Sequence, residues 1–473
     1  MKTKLFFALC LSCSITASAK VKLPQLLSNH MVLQQQTDAR LWGEATPNST
    51  VTIQASWSNR PVETKVNAQG FWETTISTPS ANFTPQTLTI SDGEPITLHD
   101  VLIGEVWFCS GQSNMEMPLN GFEKCPIENS NNVIADAPNH PGIRVATIER
   151  KSALTPQTYA NGEWKQPTTE NAQWFSATGY FYALALQQTL QVPVGIINCS
   201  WGGSRVEGWM PEEILKNYPD IDLSEAQKKE HSWTHPMIMY NALLYPCRNY
   251  TIKGFIWYQG CSNVGRADTY ADRLATMVKH WRSLWKEGDI PFYMVEIAPY
   301  AYGQNTQAID GALLREAQFK AAHTLIPNSG IISTNDLVES YEAPQIHPKN
   351  KKDIGDRLAY QALVKTYGYK GIVADSPFYK EMQADGNKII VRFDNADKGF
   401  SPWVNIKGFE IAGEDKVFHP AKADFGVKLN EIVVSSLKVK RPVAVRYCFR
   451  NFQVGNLKNH RNLPLIPFRT DQW

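Results

Sequence analysis

The chain has 473 residues, 43% of them hydrophobic and 19% charged, with a net charge of +2. That length predicts two or three domains, and the mix is that of a globular protein without disorder bias. The 47 basic residues include Lys2 and Lys4; without those two they equal the 45 acidic ones, which removes any electrostatic case for binding nucleic acid or an anionic membrane.

Lys2 and Lys4 precede the apolar run Leu5 to Leu11, and Ala17-Ser18-Ala19 supplies small residues for cleavage. This reads as an export signal over residues 1–19, with lipid attachment at Cys13 as an alternative. The run is too short to span a bilayer, and no later segment is long enough. Removing the signal takes Cys10 and Cys13 and leaves six cysteines of eight. Without CxxC pairs or His/Cys clusters they read as buried free thiols, and neither metal nor organic cofactor is expected.

Residues 20–100 alternate in short runs such as Val51 to Ala55 and Leu88 to Ile90, separated by turn signals, which predicts a β-sandwich domain. Residues 101–370 alternate apolar strands with helical patterns, the signature of a mostly parallel α/β sheet. The predicted strands are Val101 to Phe108, Val194 to Cys199, Phe255 to Tyr258, Phe292 to Ile297 and Ile331 to Thr334. The clearest helices are Phe181 to Leu190, Ala312 to Leu325 and Asn350 to Val364. Residues 371–473 return to β texture, in runs such as Lys388 to Phe393 and Val443 to Tyr447. No linker rich in Gly, Ser or Pro separates the β-domains, so they are expected to pack on the middle one rather than act as free modules.

The middle region carries the chemistry. Ser110-Gly111 breaks the first strand, so Ser113 falls on the turn beyond its carboxyl end, the rim where ligands bind in parallel sheets. A serine hydroxyl needs a histidine base and an oxyanion hole to act as a nucleophile. Trp201-Gly202-Gly203-Ser204 closes a second strand, where backbone amides can approach a ligand closely. Trp257 to Asn263 closes a third, and the Asn263 amide can donate. Ser113 N–H, Gly203 N–H and Asn263 would make a three-donor oxyanion hole. His347, in Ile346-His347-Pro348-Lys349, lies on a loop before a helix, where a general base can sit.

These four segments, in this order, resemble the four blocks of the SGNH hydrolases, named for their serine, glycine, asparagine and histidine. More narrowly they are similar to the sialate O-acetylesterase branch of the carbohydrate esterases. Met31 to Gln35, Gly202 to Trp209 and Ile346 to Lys351 support the likeness. The resemblance implies a three-layer SGNH fold flanked by β-rich domains and acyl transfer from an acetylated sugar or glycan to Ser113, with His347 as base. The triad's third member is open, because the usual acidic positions hold Cys261 and Pro344. Asp336 is the leading candidate; Glu207, Glu339, Glu342 and a main-chain carbonyl are alternatives. Gln112, Arg205, Glu207, Trp209 and Gln259 are expected to bind substrate, Arg205 as a fork for a sialic acid carboxylate or else as a partner of Glu207. Acetylated xylan or xyloglucan fragments are the alternative substrates, and a glycan-binding protein with a decayed centre is the alternative class.

Overall fold

The computed structural model describes residues 21–473, and the expected export signal over residues 1–19 lies outside them. The core is a parallel sheet ordered Ser329–Ile332, Phe292–Val295, Gly254–Tyr258, Pro95–Gly111, Val194–Ser200 and Ile143–Thr147. Trp164–Lys165 adds a short antiparallel edge. Period-two alternation explains why these strands are apolar throughout: each is buried on both faces. Trp107 and Ile256 pack on one side with Tyr180, Tyr182 and Leu358. Phe108, Phe255 and Trp257 pack on the other with Leu274, Trp281 and Trp285. Helices Ala177–Leu190 and Lys352–Lys365 thus cover one face and Ala267–Trp285 and Asp310–Lys320 the other, giving three layers.

The strand Pro95–Gly111 is 17 residues long and runs straight through the domain boundary expected near residue 100. Its first half pairs antiparallel with Asn82–Ser91, and Leu102 to Gly104 pair parallel with Val32–Gln34. The amino-terminal β-structure is therefore continuous with the central sheet through one shared strand. The carboxyl-terminal part has its own core around Ile389, Val391, Phe393, Ile432 and Val434. Two four-stranded sheets and a two-stranded one build it. It docks on the middle region through a fork of Arg469 on Glu316, at 3.0 and 2.9 Å, and through Lys458 on Asp336. The six cysteines are free thiols. Among the described residues no helix is long and apolar enough to cross a membrane.

Candidate active site

Strand register brings three of the four blocks to one level. Gly111 stands opposite Ser200 on one neighbouring strand and Tyr258 on the other. A side chain at Gly111 would collide with the Tyr258 carbonyl, its Cβ only 2.3 Å from that oxygen. The glycine lets the chain turn tightly there at φ +134°. Ser113 then opens the one-turn helix Ser113–Glu116. The Ser176 hydroxyl donates to the Met115 carbonyl at 2.5 Å and Thr178 to that of Asn114 at 3.1 Å, holding the turn from the neighbouring helix.

His347 Nε2 lies 2.9 Å from Ser113 Oγ, within reach for proton transfer. Around the imidazole are the Phe122 ring, edge-on at 5.3 Å, and Cys125 Sγ, 3.9 Å from Nδ1. Among the described residues no carboxylate bonds to Nδ1. Burial first, and the charge of Lys351 second, push His347 down to about 4, so it is a neutral base at physiological pH.

Asp336, the leading candidate for the third triad position, does not face His347. Arg357 holds both its carboxylate oxygens at 2.8 Å, and Lys458 adds a contact at 2.7 Å. Burial alone would raise its pKa, but these two cations outweigh it and keep the carboxyl below its ordinary range. Asp336 thus joins the carboxyl-terminal domain to the catalytic one. Glu339 and Glu342 cap one short turn together, with Glu342 accepting the Glu339 N–H at 2.7 Å. Cys261 cannot substitute, since burial raises its thiol to about 11. The site is a serine–histidine pair with sulfur rather than carboxylate on the far nitrogen.

The second block forms a turn closed by Ser204 N–H donating to the Trp201 carbonyl at 3.2 Å. Gly203 holds its third position at φ +78°, which only glycine adopts cheaply. A Cβ there would also strike Trp233, 2.4 Å from Cδ1 of a ring that is 38% exposed above the turn. Gly202 abuts the nucleophile: its Cβ would lie 3.3 Å from that of Ser113. Glu116 accepts the Gly202 N–H at 2.7 Å and so ties the two blocks. The N–H groups of Ser113 and Gly203 make no hydrogen bond among the described residues.

Asn263 is oriented by its own network. Its Oδ1 accepts from Val206 N–H at 3.1 Å and from Gln259 at 2.8 Å. One Nδ2 hydrogen goes to Glu207 at 3.0 Å, which leaves the second for a ligand. Glu207 is in turn held by the buried Arg273 at 2.5 Å.

Four residues expected to touch substrate are instead buried supports. Gln112 accepts the Gly260 N–H at 2.8 Å. Gln259 donates to the Ser204 carbonyl at 3.0 Å and to Asn263, and accepts from Tyr270 at 2.9 Å. Glu207 orients Asn263, and Trp209 is a fully buried core residue edge-on to Trp257. For the two glutamines the physical reason is shared: tight turns at the strand ends leave backbone groups that neighbouring side chains satisfy. Arg205 differs. Among the described residues it forms no ion pair with Glu207 and its buried Nε lacks a partner, and it lines a cavity of about 70 Å³ together with Arg266 and the acidic side chains of Glu207, Asp220, Asp222 and Glu225. A far larger cavity, about 880 Å³ between Phe319 and Phe378, contains none of these residues.

Sequence reasoning assigned no role to Glu116, Asn114, Phe122, Cys125 or Lys351. For Glu116 a signal existed, since three residues after Ser113 is one helical turn. Phe122 and Cys125 lie on an irregular loop without a pattern to read.

A mostly parallel three-layer sheet with a serine and a histidine in contact at its carboxyl edge is an SGNH-hydrolase fold. The family model for carbohydrate esterases described as sialic acid-specific acetylesterase matches residues 103–364, and the chain belongs to that family. The mouse sialate O-acetylesterase is 26% identical over 435 residues, covering 78% of each chain. The human enzyme of that name is 27% identical over 402 residues, 76% of this chain and 74% of its own. The crystal structure of a carbohydrate acetylesterase from Xanthomonas citri superposes with a TM-score of 0.85 at 32% identity, covering 96% of this chain and all of that one.

Proposed function

We propose that this protein is an exported carbohydrate esterase that removes O-acetyl groups from sugars, O-acetylated sialic acids foremost, through an acetyl-serine at Ser113. The observation that carries the reading is the 2.9 Å contact of His347 Nε2 with Ser113 Oγ beside unfilled donors. His347 takes the hydroxyl proton as Ser113 attacks the acetyl carbonyl. The N–H groups of Ser113 and Gly203 and the free Asn263 hydrogen receive the developing oxyanion. His347 then protonates the departing sugar oxygen and activates water to release acetate. Without a carboxylate on Nδ1, the imidazolium formed on the way gains no ionic stabilisation from behind.

The sialate reading is supported by the family and by the curated relatives. Arg205, whose buried Nε has no partner among the described residues, offers its guanidinium to an acidic sugar, although Glu207, Asp220, Asp222 and Glu225 line the same cavity, and Trp233 lies above Gly203. A second reading, acetylated xylan or xyloglucan fragments, follows from the 32% identity to the Xanthomonas citri enzyme, which is described as a carbohydrate acetylesterase without restriction to sialic acids. The deciding experiment compares acetate release from O-acetylated sialic acids and from acetylated xylan and xyloglucan oligosaccharides. The proposed order is sialic acids first; faster turnover of the neutral oligosaccharides overturns it.

A further inference from the structure

Lys351 is fully buried beside the reacting pair, and the mechanism above makes no use of it. Its ammonium forms no ion pair among the described residues. Nζ donates to Asn114 Oδ1 at 2.5 Å and lies 5.4 Å above the centre of the Tyr258 ring. Asn114 directly follows Ser113, and its Nδ2 donates to the carbonyl of Ile346 at 3.1 Å; Ile346 directly precedes His347. One side chain therefore bridges the nucleophile turn and the histidine loop, and Lys351 fixes the orientation of that bridge. With a cation on Oδ1, the amide must present Nδ2 to Ile346.

The groups that face this ammonium are the Cys261 and Cys125 thiols, the Tyr258 ring, His347 and, among carboxylates, Glu342. Glu342 is engaged with the Glu339 N–H and does not reach the lysine. Burying a cation without an opposite charge is costly, so a lysine here carries a cost in stability that a neutral residue would avoid.

We propose that Lys351 is a positioning residue of this centre: through Asn114 it locks the His347 loop to the nucleophile turn, and its unopposed charge holds His347 back as a base until that charge is lost. The inference rests on the Ser113–His347 esterase reading. Burial lowers Lys351 to about 7, so its charge changes near neutrality. The sign follows directly. With Lys351 protonated, a second positive charge on the imidazole is disfavoured; with Lys351 neutral, His347 accepts the proton more readily. Turnover therefore steps upward through about pH 7, separately from the loss at lower pH when His347 itself is protonated.

The test is a carbon-13 NMR titration of histidine-labelled full-length protein, with the His347 signal assigned by its loss in His347→Gln. In the wild type the signal should move twice, once near neutrality with Lys351 and again at its own titration. In Lys351→Met the upper inflection should vanish and the His347 titration should rise by about one pH unit, the size of effect a neighbouring like charge produces. Lys351→Gln removes the charge but keeps donors for Asn114; it should show the same rise while retaining more kcat than Lys351→Met. A single inflection in the wild type overturns the charge coupling without need of any variant. Equal kcat losses in Met and Gln variants overturn the bridge. Because the titration needs no substrate, a chain that released no acetate would refute the esterase reading and leave this test standing.

Discussion

Replacing Asn263 with alanine separates an oxyanion donor from a substrate contact. The variant loses the one Nδ2 hydrogen that Glu207 leaves free. A single oxyanion donor contributes on the order of 10²–10³ in kcat, about 2.7–4 kcal/mol, because its bond strengthens only as charge develops. The same change disturbs the network below. Glu207 keeps Arg273, and Gln259 keeps the Ser204 carbonyl. The buried Val206 N–H loses its partner, a stability cost of about 1–3 kcal/mol. Asn263→Ala should therefore remain folded, unfold at lower denaturant, and lose kcat with little change in KM. Steady-state kinetics on 4-nitrophenyl acetate, alongside urea denaturation, read the two effects independently. If KM alone rises while kcat holds, Asn263 binds the ground state and the oxyanion assignment is refuted.

Two further outcomes follow from the same geometry. Asp336→Asn should leave kcat within about threefold of wild type and cost as much as about 3–5 kcal/mol in stability, because it breaks a buried ion pair and not the reacting centre; a kcat loss near 10⁴ would return Asp336 to the triad. The pH profile of kcat/KM should lose its last activity at about 4, where His347 protonates, rather than near the ordinary histidine value of 6.5. The sign is that of a base whose neutral form is required: burial and Lys351 both oppose its charging, so activity survives further into acid. A sole acid limb at about 6.5 in the wild type would show that His347 is not held in this environment.

The parts of this site legible in the sequence were those tied to strand ends. An apolar run, a glycine break and a polar residue place Ser113, Gly203 and Asn263 on one rim without knowledge of the fold, because parallel strands share one direction. The three-layer sheet was legible for the same reason, through strands too apolar to be exposed on either face. What could not be read was which way each polar residue points. Gln112 and Gln259 sit at the rim like Asn263, yet they turn inward to satisfy neighbouring turns. Asp336 follows a strand as a triad acid would, but its partners are Arg357, 21 positions on, and Lys458, from the last β-domain. Such pairings are tertiary and leave no local pattern. The continuity across residue 100 was equally illegible: a strand may serve two partner sets in succession, as Pro95–Gly111 does.

Whether Ser113 carries the acetyl group is decided by acetate release from an O-acetylated sialic acid, measured for wild type and Ser113→Ala. The substitution removes one oxygen from a half-buried position and leaves the turn's backbone bonds in place. The wild type should turn over and the variant should lose at least about 10³, with unfolding unchanged. A folded variant within about tenfold of wild type, roughly 1.4 kcal/mol in the barrier, would contradict the assignment.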